Sequence, residues 1–122
     1  MRNMSFALTT QQVRSRAKTV TRRMGWLNLK IGELICAVVK CQGLKKGEKI
    51  EKLTTIRIVH VQREYLNSLL FDPDRGLMEC AKEGFDSSHP MGNPKGFIRG
   101  FVASHKGCKP DSLITRIEFE YI

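Results

Sequence analysis

The sequence has no long hydrophobic run, and no apolar stretch approaches the roughly 18 to 20 residues that a transmembrane helix requires. The first residues, MRNMSFALTT, have neither the apolar core nor the small-residue cleavage site of a secretory signal. These absences predict a cytoplasmic protein that does not associate with a membrane. The chain of 122 residues is long enough for one hydrophobic core, so we expect a single domain over residues 1–122.

The sequence also lacks the residue spacing of a metal or redox site. It contains no C-x-x-C pair, and no histidine stands at zinc-ligand distance from a cysteine. The cysteines are therefore interpreted as structural thiols, and we expect neither a metal ion nor another cofactor. The residues concerned are scattered along the chain: Cys36, Cys41, Cys80, Cys108, His60, His89 and His105.

Acidic residues are absent from the first 32 positions, although the chain as a whole carries a formal charge of +9. Seven basic residues precede Glu33, whereas the remaining chain holds 14 basic against 12 acidic residues. A basic segment of this kind is typical of a phosphate-bearing partner, although some small proteins are basic without binding one. The seven residues are Arg2, Arg14, Arg16, Lys18, Arg22, Arg23 and Lys30.

Hydrophobic patterning predicts an α+β fold of short elements. Apolar, β-branched or alternating stretches indicate strands over residues 4–8, 34–41, 54–62 and 113–122. A capping box of Thr9 and Gln12 predicts a first helix from Thr10 to Ala17 or Lys18. Two further helices are expected to begin at Asp72-Pro73 and Asn93-Pro94. This order favours a small closed sheet whose ends are covered by helices.

The segment AKTVTRRMGW, residues 17–26, gathers polar and basic side chains around the only tryptophan of the chain. In one interpretation, the segment forms the edge of an anion-binding cleft. In the other, it is a polar helix end whose side chains form hydrogen bonds to the free backbone groups. Trp26 is either a platform for a stacked base or part of the core, and the core is favoured. The candidate anion-binding residues are Arg14, Arg16, Lys18, Arg22, Arg23 and Trp26.

Several motifs together carry a resemblance to a known family. MSFALT, KTVTRR followed by GW, LKIGE, KEGF and the terminal TRIEFEYI make residues 4 to 122 resemble the ASCH-domain proteins of the PUA-like superfamily. The similarity is greatest to the small single-domain proteins that bacteriophages often carry. It implies a PUA-like closed antiparallel β-barrel with short helices on the outside and a cleft between barrel and helices. It also implies RNA, nucleotides or modified nucleosides as partners of a protein that we expect to be a monomer.

The resemblance also implies candidate catalytic residues. Some small ASCH proteins are amidohydrolases that remove the acetyl group from N4-acetylcytidine with a lysine, a threonine and a glutamate. The K-T-x-T stretch maps the first two onto Lys18 and Thr21, and KEGF maps the third onto Glu83, with Glu79 as the alternative. The segments GLKKGEKIEK and GFDSSHPMGNP depart from those compact enzymes and are expected to reshape the pocket.

Residue chemistry leaves two main functions open. As an enzyme, the protein would use the hydroxyl of Thr21 as nucleophile and Lys18, placed on the same side of a helical turn, as a base of lowered pKa. As a binding protein, it would hold nucleic acid, preferably RNA, or a nucleotide in a basic cleft around KTVTRR. The excess of basic residues before Glu33 favours binding. A ribonuclease is a further alternative.

Overall fold

The computed structural model describes residues 1–122 as a mixed five-stranded sheet that curls into a half-barrel, with three short helices. The strands are β1 (Arg2–Ser5), β2 (Val20–Arg23), β3 (Leu34–Val38), β4 (Lys52–Tyr65) and β5 (Leu113–Tyr121). The helices are α1 (Thr10–Arg14), α2 (Pro73–Lys82) and α3 (Pro94–Ser104), and Ala7–Thr9 and Leu66–Leu70 form 3₁₀ turns. None of the helices has the length and apolarity that crossing a membrane requires.

The sheet has the strand order β1-β3-β4-β5-β2. The pair β1–β3 is parallel and the other three pairs are antiparallel. The α+β class and the barrel-like sheet are thus as the sequence predicted. Backbone pairing does not close the barrel between its edge strands β1 and β2. Arg23, at the end of β2, instead reaches across and donates from Nη2 to the carbonyl oxygen of Ser5, at the end of β1.

Two hydrophobic clusters hold this architecture together. The first fills the curl of the sheet and includes Phe6, Ile58 and Phe119. The second lies where α2 and α3 cover the sheet, and it includes Leu66 and Phe97. Strand β5 contributes side chains to both clusters, because its alternate side chains point to opposite faces of the sheet, as its period-two pattern predicted. The site described below lies between these clusters.

The predicted first helix is too long. Helix α1 ends at Arg14, and Arg16 adopts a left-handed backbone conformation with φ of 63° that turns the chain away. The side chain of Thr9 makes no capping hydrogen bond, so the predicted capping box is absent. Residues 20–23 form β2. Its backbone groups form hydrogen bonds with β5 and not within a helix. Lys18 and Thr21 therefore lie in a loop and a strand, and the prediction of a shared helical turn was wrong.

The other two helix starts are confirmed. Asp72 accepts a hydrogen bond from the backbone nitrogen of Arg75 at 3.2 Å, and Asn93 accepts one from Gly96 at 2.9 Å. Each cap is followed by a proline at the first helical position. The second of these caps fixes α3, which forms one wall of the cavity described next.

Candidate functional site

A cavity of about 410 Å³ opens between the curled sheet and α3. This volume falls in the range of small-ligand pockets. Its floor is polar and buried, whereas its wall toward α3 is aromatic. The floor is formed by Lys18, Thr21, Arg22, Arg23 and Glu83, and the wall includes Phe85, His89, Met91, Phe97, Phe101 and His105.

Lys18 and Glu83 form a buried ion pair on this floor. Lys18 Nζ lies 2.7 Å from Glu83 Oε1 and 2.8 Å from the carbonyl oxygen of the same residue. The two side chains are 3% and 4% exposed. Lys18 reaches this position because its loop is fixed at both sides, by hydrogen bonds from the backbone nitrogen of Lys18 to Gln12 and from that of Thr19 to Lys82.

Two opposing effects act on the pKa of Lys18. Burial lowers the pKa of Lys18 below its ordinary value of 10.5, because water no longer solvates the ammonium group. The Glu83 carboxylate opposes this change, and the positive charges of Arg23 and Arg22 add to it. As an ammonium group, Lys18 has three N–H donors, and Glu83 accepts two of them, at its carboxylate oxygen Oε1 and at its carbonyl oxygen.

Arg22, a predicted anion-binding residue, is held by a network of carboxylates. Its three nitrogens donate to three carboxylates: Nε to Glu64 at 3.2 Å, Nη1 to Glu83 at 3.1 Å and Nη2 to Glu79 at 2.5 Å. Burial works against the charged form, but these carboxylates outweigh it and raise the pKa of Arg22. With its side chain fully buried and its charge neutralised, Arg22 is not available to a ligand anion.

The ion-pair network extends away from the cavity through Glu79. This carboxylate also accepts two hydrogen bonds from Arg116, at 2.6 and 3.2 Å. Burial alone would raise the pKa of Glu79, but the two arginines lower it to about 2. Glu79 does not line the cavity, whereas Glu83 does. Of the two candidate glutamates, the structure thus brings Glu83 to Lys18.

Arg23 lies beside Thr21 and has no carboxylate partner. Its Nε donates to Thr21 Oγ1 at 3.3 Å, its Nη2 donates to Ser5, and its guanidinium lies 4.7 Å from the centre of the Phe6 ring. Burial lowers the pKa of Arg23 to about 10, and the more distant Glu83 offsets only part of this effect. The floor therefore contains one cation without a bound counter-ion, next to a hydroxyl group.

Five aromatic rings form a continuous wall above this floor. Phe85, Phe97 and Phe101 follow one another at centroid distances of 6.2 and 6.1 Å. A histidine extends each end of the row, with His89 at 4.6 Å from Phe85 and His105 at 3.9 Å from Phe101. A planar ring of a ligand would stack well against such a surface.

Three predicted ligand contacts lie outside the cavity. Arg14 is exposed and pairs with Glu51, and Arg16 lies over the ring of Tyr121. Trp26 packs against the first core cluster, with Arg2 above its ring, as the favoured core interpretation expected. None of these three residues lines the cavity.

Sequence reasoning missed the aromatic wall. Its residues come from the segment 85–105, where His89 and His105 were noted only as residues scattered along the chain. The same region shows a charge pattern that was also missed: the segment 87–110 contains no acidic residue and four basic ones, and the nearly neutral balance after Glu33 hides this imbalance. The segment GFDSSHPMGNP contributes Phe85, His89 and Met91 to the lining of the cavity. No group of three or more histidine, cysteine or acidic side chains is arranged to hold a metal ion.

Two solved structures are similar to this architecture, although no match is found by sequence. No protein-family model matches the sequence, and no curated protein matches it. A crystal structure of a protein from Enterococcus faecalis V583, of the family model DUF984, has a TM-score of 0.55 at 18% identity and covers 99% of this chain and 78% of its own. The ASCH domain from Lactobacillus crispatus JV V101 has a TM-score of 0.55 at 16% identity, with coverages of 98% and 78%.

At sequence identities of 18% and 16%, the similarity shows a shared fold alone. The two relatives match almost the whole chain, so the agreement includes the half-barrel and the helices that frame the cavity. This agrees with the resemblance that the sequence motifs carried. The chain has the fold of an ASCH-like domain.

Proposed function

We propose that the cavity binds an acylated cytidine-type nucleoside and that its floor hydrolyses the exocyclic amide. The observation that carries the proposal is the buried contact of Lys18 Nζ with the carboxylate oxygen Oε1 and the carbonyl oxygen of Glu83, in the same cavity as the Thr21 hydroxyl. A lysine of lowered pKa in a small pocket is suited to act as a general base. The aromatic wall supplies a stacking surface for the base.

Each polar group of the floor has a role in this reaction. Thr21 Oγ1 attacks the acyl carbon, and neutral Lys18 accepts the hydroxyl proton. Arg23 donates to Thr21 Oγ1, so the hydroxyl hydrogen must point elsewhere, which leaves it available to Lys18. No hydrogen bond joins Lys18 and Thr21 in the absence of substrate, and such contacts often tighten only in the reactive complex.

The reaction is balanced in two steps. In the first, the Thr21 oxygen forms an ester bond with the acyl carbon, the amide C–N bond breaks, and Lys18 returns the proton to the departing amine. In the second, Lys18 takes a proton from the attacking water and passes it to the Thr21 oxygen as the ester bond breaks, which restores the hydroxyl and gives a carboxylic acid that loses its proton to solvent. The negative charge that develops on the acyl oxygen in both steps is stabilised by the unpaired guanidinium of Arg23.

The experiment is a deacylation assay with N4-acetylcytidine, in which cytidine and acetate are measured by mass spectrometry. We expect turnover by the native protein and a loss of about 1000-fold or more in Thr21→Val and Lys18→Met, because nucleophile and base act as a unit. Arg14→Gln, an exposed change in the same part of the chain, is the matched control. Absence of turnover by the native protein, or full turnover in Thr21→Val, would overturn the proposal.

Binding of a nucleic-acid strand is a second candidate function, and the outer surface of α3 favours it. Lys95 and Arg99 lie one turn apart on this helix, and Lys106 and Lys109 follow it. All four are exposed and none takes part in an ion pair. Because the inner face of the same helix lines the cavity, a strand bound here would pass close to the cavity mouth.

A further inference from the structure

Glu83 is shared between two buried cations that contact different oxygens of its carboxylate. Lys18 Nζ lies 2.7 Å from Oε1, and Arg22 Nη1 donates to Oε2 at 3.1 Å. The side chains of all three residues are at most 4% exposed. Because each oxygen has its own cation, the orientation of the carboxylate is fixed at both oxygens.

Arg22 is itself held by two further carboxylates. Its Nε donates to Glu64, on β4, at 3.2 Å, and its Nη2 donates to Glu79, on α2, at 2.5 Å. Glu79 and Glu83 are four residues apart and therefore face the same side of this helix and its C-terminal end. A planar guanidinium that is bound in this way by two elements has little freedom to move with Glu83. The position of Oε2 is thus set by Arg22.

We propose that Arg22 is a positioning residue for Lys18, which acts through the carboxylate that both residues share. The inference rests on the proposed function, in which Lys18 is the base. Arg22 holds Glu83 so that Oε1 faces Lys18, and its positive charge neutralises part of the negative charge that Lys18 would otherwise have to itself. The ammonium form of Lys18 is therefore less stabilised than in an exclusive ion pair, and the amine is more readily available to accept the proton of Thr21.

The other groups around Lys18 do not act through Glu83. Burial lowers the pKa of Lys18, and the positive charge of Arg23, on β2, lowers it further, but Arg23 makes its hydrogen bonds to neutral oxygens. The phenol of Tyr121, on β5, donates to the carbonyl oxygen of Lys18. Burial raises the pKa of Tyr121 to about 12, so this group carries no charge at neutral pH. Arg22 is therefore the group through which the effect of Glu83 on Lys18 is tested.

The double variant Arg22→Met/Glu64→Gln tests this role without leaving a buried charge alone. It removes one cation and one carboxylate, so the charges of the remaining network still balance. The ion pairs that remain are Lys18 with Glu83 and Arg116 with Glu79.

The double variant Arg75→Met/Glu64→Gln is the matched control. Arg75 belongs to the same network, because it lies 3.8 Å from Glu64 and 3.9 Å from Glu79, but it does not contact Glu83. The control therefore removes the same charges and leaves Arg22 on the shared carboxylate. Thermal unfolding of both double variants shows whether they are folded.

The first measurement is the protonation of Lys18, followed by NMR of the lysine side chains between pH 5 and 10. The signal is assigned by its loss in Lys18→Met, and no turnover is required. In Arg22→Met/Glu64→Gln, Glu83 stabilises only the ammonium group of Lys18, so this lysine should titrate at a higher pH than in the native protein. In the control it should titrate as in the native protein.

The second measurement is kcat/KM for N4-acetylcytidine over the same pH range. We expect Arg22→Met/Glu64→Gln to lose about 10-fold at pH 7, as is typical when a charge near a titrating group is removed, and to approach the native value as the pH rises. A loss of equal size at every pH, or an unchanged titration of Lys18, would overturn this inference and leave the proposed function intact. Absence of turnover by the native protein would overturn the proposed function and the role of Lys18 as base, whereas the NMR titration alone decides the effect of Arg22 on Lys18.

Discussion

Lys18 and Glu83 depend on each other unequally. Lys18 Nζ has no anionic partner other than Glu83, which it contacts at 2.7 Å, whereas Glu83 also receives a hydrogen bond from Arg22 at 3.1 Å. Both side chains are buried. Removal of the glutamate therefore leaves a buried cation alone, but removal of the lysine leaves a carboxylate that is still paired.

This asymmetry predicts different losses of stability. Glu83→Gln should lower the free energy of unfolding by about 3–5 kcal/mol, the range for one partner lost from a buried ion pair. Lys18→Met should lower it by only about 1–3 kcal/mol, because Arg22 continues to neutralise Glu83. Urea unfolding at neutral pH measures both values. An equal or smaller loss in Glu83→Gln would show that Lys18 does not depend on this carboxylate.

The pH dependence of deacylation gives a second prediction. A general base acts when it is deprotonated, so activity should rise with pH through the pKa of Lys18. Because burial lowers this pKa, the rise should be centred below the ordinary value of 10.5. The measurement is kcat/KM between pH 5 and 10 with an acylated nucleoside. A rate that falls as the pH rises over this range would exclude Lys18 as the base.

The segregation of charges along the sequence does not show which charges are paired in the fold. The basic residues of the first third are largely neutralised by carboxylates that follow them: Arg2 pairs with Glu33, Arg14 with Glu51, and Lys18 with Glu83. Composition cannot show such pairing, because it depends on how distant segments meet in the fold. The excess of basic residues before Glu33 therefore overstates the free positive charge that this part of the chain offers to a polyanion.

The sequence predicted the elements better than the cavity. Strand β5 and the two proline-led helices followed from periodicity and capping, which are local properties. Strand β2 was missed because its four residues, VTRR, carry no alternation and owe their conformation to pairing with β5. The aromatic wall was missed for a related reason, since its rings are distant from KTVTRR in sequence and meet it only through the fold.

Glu79 gives a prediction about acid stability. Its folded pKa of about 2 lies below the ordinary value of 4.5, so its stabilising contribution is complete above pH 4.5 and is lost as the pH falls toward 2. A shift of this size corresponds to about 3 kcal/mol. Glu79→Gln should therefore be less stable than the native protein at pH 7 and lose less further stability between pH 4.5 and 2. Glu120→Gln, at an exposed pair with Arg57, is the control and should retain the native pH dependence.

The outer surface of α3 gives a prediction for nucleic-acid binding. If single-stranded RNA binds there, its affinity should fall steeply with salt, because each neutralised phosphate releases condensed counter-ions. The double variant Lys95→Gln/Arg99→Gln should reduce the slope of log K against log salt by about 1.4, at about 0.7 per contact. The matched variant Arg14→Gln/Arg16→Gln should leave the slope unchanged. If only Arg14→Gln/Arg16→Gln reduces the slope, the RNA binds instead at the predicted site around α1.

Arg23 provides the last prediction, because it has two tasks that differ in what they require. In the proposed reaction its charge stabilises the acyl oxygen, and its planar group joins Thr21 to Ser5 across the seam between β2 and β1. A lysine retains the charge but lacks the planar fork that holds two acceptors at fixed positions. We expect Arg23→Met to lose about 100- to 1000-fold in kcat with little change in KM, since the charge acts on the transition state. We expect Arg23→Lys to lose a similar factor because Thr21 is no longer oriented, and thermal unfolding should show that both variants lose stability at the seam. Full activity in Arg23→Lys would mean that charge alone is sufficient and that the contact with Thr21 has no catalytic role.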